Sequence, residues 1–313
     1  MHLVPVTKEN IERHVAFRIL VSDEEQRNYY ATVDMANVIL ANGNEYSLQD
    51  DNGDIHAAVV ISRKPGIDDN IVVLISVEID GKDPQKLADC LHQVLLKENG
   101  RLASHTTRYR IYNLPHNPYR KEDMENWGFA EVVGSYRYER EVGPPREGEF
   151  PHADRAIAKG YQSILLDDAY IEQHPDIFEK LADIYNRAFL TRSSVNMTTA
   201  ERLEDTYRKE TNGMIIAKIG DEVTGCIGLT HLGNSILSPQ YCCLRRHWGT
   251  GSVDLMCRHL AEHVAEQWNL PIIGYAEATN AASWKALERF GLTRVEEYLM
   301  WERVIPAAER FVI

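Results

Sequence analysis

The chain has 313 residues, 44% hydrophobic and 26% charged, which is enough for two domains with a core each, and no apolar run approaches the roughly 20 residues of a membrane helix. Its formal net charge of −13 at pH 7 argues against a nucleic-acid partner, which needs a basic surface, and suits a small cationic or amine-bearing substrate. The five cysteines, Cys90, Cys226, Cys242, Cys243 and Cys257, form no disulfide framework, and Cys257 with His259 and His263 completes no zinc pattern, so reduced thiols and no metal are expected.

Residues 1–7 are too short and too soon charged for a signal peptide, which makes the cytoplasm the expected location. Residues 2–7 read as a strand, and a helical stretch with breaks runs from Glu9 to about Leu40. Residues 46–49 and 55–62 alternate around the turn Asp50-Asp51-Asn52-Gly53-Asp54, as two antiparallel strands do. Residues 71–79 form a further strand, bounded by Gly66 to Asn70 and by Gly81. A helix follows, with Pro84 in its first turn and Leu87, Leu91, Val94 and Leu95 on one apolar face. Strands are expected near 108–112 and 130–138. Residues 143–160, with Gly143-Pro144-Pro145 and little apolar pattern, read as a linker.

The second half runs through a strand at 163–166, helices at 176–190 and 198–209, and a hairpin of 214–219 and 223–229 around Gly220-Asp221. A strand at 236–244 then leads into Arg246-His247-Trp248-Gly249-Thr250-Gly251-Ser252, and a helix covers 252–268. Two glycines one residue apart allow a tight turn, and the first N–H groups of the helix point into it unpaired. Such a turn binds phosphate, with Arg246 adding a full charge. The spacing is neither that of a nucleotide P-loop nor that of a dinucleotide fold. A strand at 271–278 precedes Thr279-Asn280-Ala281-Ala282-Ser283 and a helix that ends at Phe290-Gly291-Leu292.

The Arg-x-x-Gly-x-Gly spacing resembles motif A of the GCN5-related N-acetyltransferases (GNAT superfamily), which holds the pyrophosphate of acetyl-CoA. The stretch from Asn280 to Leu292 is similar to that superfamily's motif B. The resemblance implies an α/β fold with a mixed, mostly antiparallel sheet flanked by helices. It also implies acetyl-CoA as co-substrate and acetyl transfer to a primary amine of a small molecule or peptide by direct attack. A non-catalytic acyl-CoA-binding or regulatory module is the alternative.

The halves repeat. Trp127-Gly128-Phe129 followed by Tyr138-Glu139-Arg140 matches Phe290-Gly291-Leu292 followed by Trp301-Glu302-Arg303 at one constant offset. Two tandem GNAT-like domains are therefore expected: a degenerate copy at 1–142, a linker at 143–160 and an acetyl-CoA-binding domain at 161–313. In the first copy Glu78, Asp80 and Asp83 would repel a pyrophosphate, and Pro84 removes a donor. A homodimer is left open, and neither nucleic acid nor membrane is an expected partner.

By the resemblance, the cofactor lies between the strands ending at 244 and 278. Amides from His247 to Ser252 (His247, Trp248, Gly249, Thr250, Gly251, Ser252) would hold the pyrophosphate, and Asn280 and Ser283 would meet the pantetheine arm or cap the helix. Glu277, which shares a strand face with Tyr275, is the first candidate for the base that takes the ammonium proton, and His231 is the second. Many relatives carry a proton-donating tyrosine seven residues after the motif B asparagine; here that position is Leu287. The thiolate would then take its proton from water, from the acceptor's ammonium group or from another hydroxyl, for which Tyr298 is the nearest candidate, although it reads more readily as a sheet-face aromatic. Asp254 stands where an apolar helix residue is usual.

Overall fold

The computed structural model describes residues 1–31, 33–65, 70–113, 119–189, 198–208, 212–237 and 241–313. Residues 66–69 beside the expected strand at 71–79, the ends of the expected helices at 190 and 209, and 238–240 within the expected strand 236–244 lie outside them. The chain divides into two compact units, described in turn.

The first unit opens with β1 (His2–Pro5), and the expected long helical stretch is α1 (Ile11–Val21), α2 (Glu24–Tyr30) and α3 (Met35–Asn42). Side-chain caps start the new helices: Asp23 accepts from the Gln26 N–H and Asp34 from the Asn37 N–H. Then come β2 (Glu45–Gln49), β3 (Ile55–Pro65), β4 (Ile71–Ile79), α4 (Pro84–Glu98), β5 (Thr107–Tyr112), α5 (Lys121–Asn126) and the first part of β6 (Ala130–Arg140). Strands β1 to β4 pair antiparallel in order, and β5 joins β4 in parallel. The apolar face of α4 read from the sequence is the buried one: Leu87, Leu91, Val94 and Leu95 pack on Val59, Val73 and Ile75. Arg18 bridges the part-buried carboxylates of Glu45 and Glu78 on the other side, and His14 is bonded to Glu45 at 2.8 Å.

The second unit contains α6 (Ala153–Ala158), β7 (Tyr161–Leu165), α7 (Asp168–Gln173), α8 (Ile177–Phe189), α9 (Ala200–Tyr207), β8 (Asn212–Ile219), β9 (Glu222–His231), β10 (Ile236–Leu237) and β11 (Tyr241–Cys243). It continues with α10 (Ser252–Gln267), β12 (Ile272–Glu277), α11 (Ala281–Arg289) and the start of β13 (Thr293–Ile305). Alternation in the strands gives two cores. Ile215, Ala217 and Ile227 face Met256, Leu260 and Val264 of α10, while Met214, Ile216 and Cys226 face Phe178, Leu181 and Ile184 of α8.

The boundaries differ from those expected at 142 and 161. From Ser135 onward β6 pairs with β12 of the second unit, Arg140 opposite Ile272 and Ser135 opposite Glu277. From Tyr298 onward the chain returns to the first unit, where β13 pairs with β5, Met300 opposite Tyr112 and Ile305 opposite Thr107. Each unit's sheet is thus completed by a strand from the other half of the chain. Residues 143–160 are not a free linker either. Arg140 holds Glu149 through two bonds of 2.8 and 2.9 Å and donates to the carbonyls of Gly143 and Pro144. Phe150, Ala153 and Ala156 belong to the α10 core.

Candidate functional site

The second unit opens where the expectation placed the cleft. Strand β10 runs parallel to β12, with Ile236 opposite Ile272 and Leu237 opposite Ile273. Beyond that register β11 pairs with β9 alone among the described residues, so β11 and β12 part. The turn after β11 is a 3-10 segment, Arg245–His247, followed by Gly249 at φ +71° and Gly251 at φ +98°. Gly251 is required twice over: its backbone is left-handed, and a Cβ would fall on the His152 carbonyl oxygen.

The donors of this turn are fewer than the sequence suggested. His247, Trp248 and Thr250 donate their N–H groups to the carbonyls of Leu244, Arg245 and His247, and the Ser252 N–H reaches Thr250 Oγ1 at 3.3 Å. A 3-10 turn satisfies its own amides, which motif spacing does not reveal. From His247 to Asp254 the N–H groups left over are those of Gly249, Gly251, Val253 and Asp254, a cluster at the positive end of α10.

Charges around the turn are also shared. Arg246 pairs with Glu222, whose carboxyl is held below the ordinary range chiefly by that hydrogen bond. His247 is buried between the Tyr161 hydroxyl at 2.8 Å and Glu222 at 3.3 Å, so its side chain is structural. Trp248 is exposed and donates its indole N–H to the Cys243 carbonyl at 3.0 Å. Asp254, off pattern in the sequence, is buried, accepts from the His152 N–H at 3.3 Å and faces Arg289 at 3.3 Å. Arg155 of α6 reaches the Gly249 carbonyl at 2.6 Å. The residues before β7 that read as linker therefore dock on the glycine turn, a contact that no local pattern announced.

Across the opening, Asn280 caps α11 by accepting the Ser283 N–H at 3.3 Å. The Ser283 carbonyl accepts from the Tyr241 hydroxyl at 3.2 Å, so Tyr241, missed in the sequence, spans from β11 to α11. Leu287 is buried against Gly274 and borders a cavity of about 20 Å³ with Tyr241 and Phe290, so it packs the core instead of facing a cleft.

The two base candidates separate. Ile272, Gly274 and Ala276 face α10 and α11, which puts Tyr275 and Glu277 on the opposite face of β12, with Glu277 past the point where the strands part. His231 lies at the other end of β9, six residues beyond Gly225, the register partner of Cys243, or about 20 Å at the rise of a strand. There it packs on Trp268, at the far end of α10, with ring centroids 6.0 Å apart. Tyr298 falls in the first unit. The described residues hold no cluster of three metal-ligating side chains and no helix long and apolar enough to cross a membrane.

Comparison with known proteins agrees with this geometry. Residues 166–293 match the family described as acetyltransferase (GNAT) domain. No curated protein matches the chain by sequence. Among solved structures, a GCN5-related N-acetyltransferase from Sphaerobacter thermophilus superposes with a TM-score of 0.55 at 12% identity, over 99% of this chain and 97% of that one. A tandem GNAT protein from the clavulanic acid biosynthesis pathway gives 0.54 at 11%, over 97% and 98%. A probable N-acyltransferase from Enterococcus faecalis V583 gives 0.54 at 9%, over 97% and 72%. At such identities the likeness is one of fold. Residues 166–293 thus match a GNAT acetyltransferase domain, in a chain that shares the fold of GCN5-related N-acetyltransferases and of a tandem GNAT protein over nearly its whole length.

Proposed function

We propose that the chain transfers an acetyl group from acetyl-CoA to a primary amine of a small molecule or peptide by direct attack. The observation that carries this reading is the parting of β11 and β12 beside a turn with four unpaired N–H groups. Those of Gly249, Gly251, Val253 and Asp254 suit pyrophosphate oxygens, and Arg155 adds positive charge at the rim, as does Arg246 once a phosphate draws it from Glu222. The corresponding stretch of the first unit is occupied: Asp83 already takes the Gln85 and Lys86 N–H groups, and Glu78 is tied to Arg18.

In the reaction the amine nitrogen forms a bond to the thioester carbonyl carbon, and the carbon–sulfur bond breaks. Glu277 takes the ammonium proton directly or through one water. With an apolar side chain at Leu287, the departing thiolate takes its proton from solvent or from the acceptor. That same Leu287 favours the second reading, a module that binds acyl-CoA without turnover. Release of free thiol from acetyl-CoA over a panel of amines separates the two. The enzyme reading expects release with at least one amine and a loss of kcat on the order of 10²–10⁴ in Glu277→Gln. Saturable binding with no release from any amine would reject it.

A further inference from the structure

We propose that Cys226 and Cys242 are a redox-convertible pair, which a hydroperoxide joins into a disulfide that ties β11 to β9 beneath the glycine turn. The two residues are register partners across these strands, and their sulfurs stand 3.2 Å apart. Directly opposed antiparallel residues have Cα atoms about 4.5–5.5 Å apart, within the span that a disulfide bridges. Closing the bond moves the sulfurs together by about 1 Å and leaves the register unchanged. Both side chains lie in the α8 core with Phe178, Met214, Ile216 and Leu244. The pairing is selective: the Cys243 sulfur is 3.7 Å from Ser252 Oγ, Cys257 sits on α10, and Cys90 belongs to the first unit.

Access comes through β11, which has three residues and one pairing partner among the described strands, so it opens at lower cost than the rest of the sheet. In the closed strand the hydrogen bond with Cys226 and burial hold the Cys242 thiol protonated, which keeps the pair inert until it opens. In the opened strand one thiolate sulfur attacks a hydroperoxide oxygen, the O–O bond breaks, and a sulfenic acid forms while the leaving oxygen takes up the proton that the thiol lost and departs as an alcohol, or as water from hydrogen peroxide. On closing, the second sulfur attacks the first, the S–S bond forms and water leaves. The two thiols lose two electrons and the hydroperoxide gains them. Through Leu244 the tied strand leads straight into Arg245 and the turn, so the redox state sets how readily that turn moves.

The test uses the folded full-length chain and hydrogen peroxide, followed by thiol alkylation, digestion without reduction and mass mapping, with hydrogen exchange read in parallel. A peptide linked through Cys226 and Cys242 is expected, lost in Cys226→Ala and retained in Cys257→Ala. In the linked form the amides of residues 241–244 should exchange about tenfold or more slowly, with recovery on adding dithiothreitol. Mapping of the unsubstituted chain decides the linkage even if a variant folds poorly. Linkage of Cys242 to any other cysteine, both thiols alkylated after oxidation, or unchanged exchange at 241–244 in the linked form would each overturn the proposal.

Discussion

Gly251 and Gly249 share a left-handed backbone but not surroundings, and the difference sets what each tolerates. An added methyl at Gly249 meets open space, so Gly249→Ala should cost about 1 kcal/mol from backbone conformation alone. At Gly251 the same methyl lands on the His152 carbonyl, so Gly251→Ala should cost about 3 kcal/mol or more as α6 is pushed away. Thermal melts compare them directly; equal melting temperatures would show that α6 does not rest on the turn. The glycines were legible in the sequence because only glycine suits such a turn. The roles of Asp254, Arg155 and Tyr241 were not, since each acts through a partner distant along the chain: His152 and Arg289, Gly249, and Ser283.

Elements with a strong local signature are legible in the sequence, α4 in its apolar stripe and the two hairpins in their glycine turns. The order of residues 143–160 is not legible there, because it does not come from an apolar stripe. One buried arginine, Arg140, supplies it by satisfying a carboxylate and loop carbonyls that would otherwise need water. Removing one partner of such a pair leaves a buried charge, so Arg140→Ala should destabilise the chain by about 3–5 kcal/mol. It should also open 143–160 to proteolysis, where the unsubstituted chain resists. Rapid cutting of the unsubstituted chain in this segment would mean that it is the free linker its composition suggested.

For the whole molecule, the internal repeat identified the two strands that matter but not the sheets they join. Tyr138-Glu139-Arg140 and Trp301-Glu302-Arg303 are alike, and Tyr138 and Trp301 are both buried at 1% exposure. Strands so similar fit each other's sheets, which is the condition for exchange. Pairing partners far apart along the chain cannot be read from alternation. Cutting at the sequence boundary should therefore fail: fragment 161–313 lacks β6, the antiparallel partner of β12 along its whole length, whereas fragment 135–297 keeps those residues of it. The latter should unfold cooperatively, the former should aggregate or melt without a transition, and the reverse outcome would rule out the exchange. The most direct measurement of the central claim is calorimetric titration of the full chain with acetyl-CoA. One site per chain is predicted, lost in Gly249→Glu, which places a carboxylate among the free N–H groups; two equivalent sites, or unchanged affinity in that variant, would contradict it.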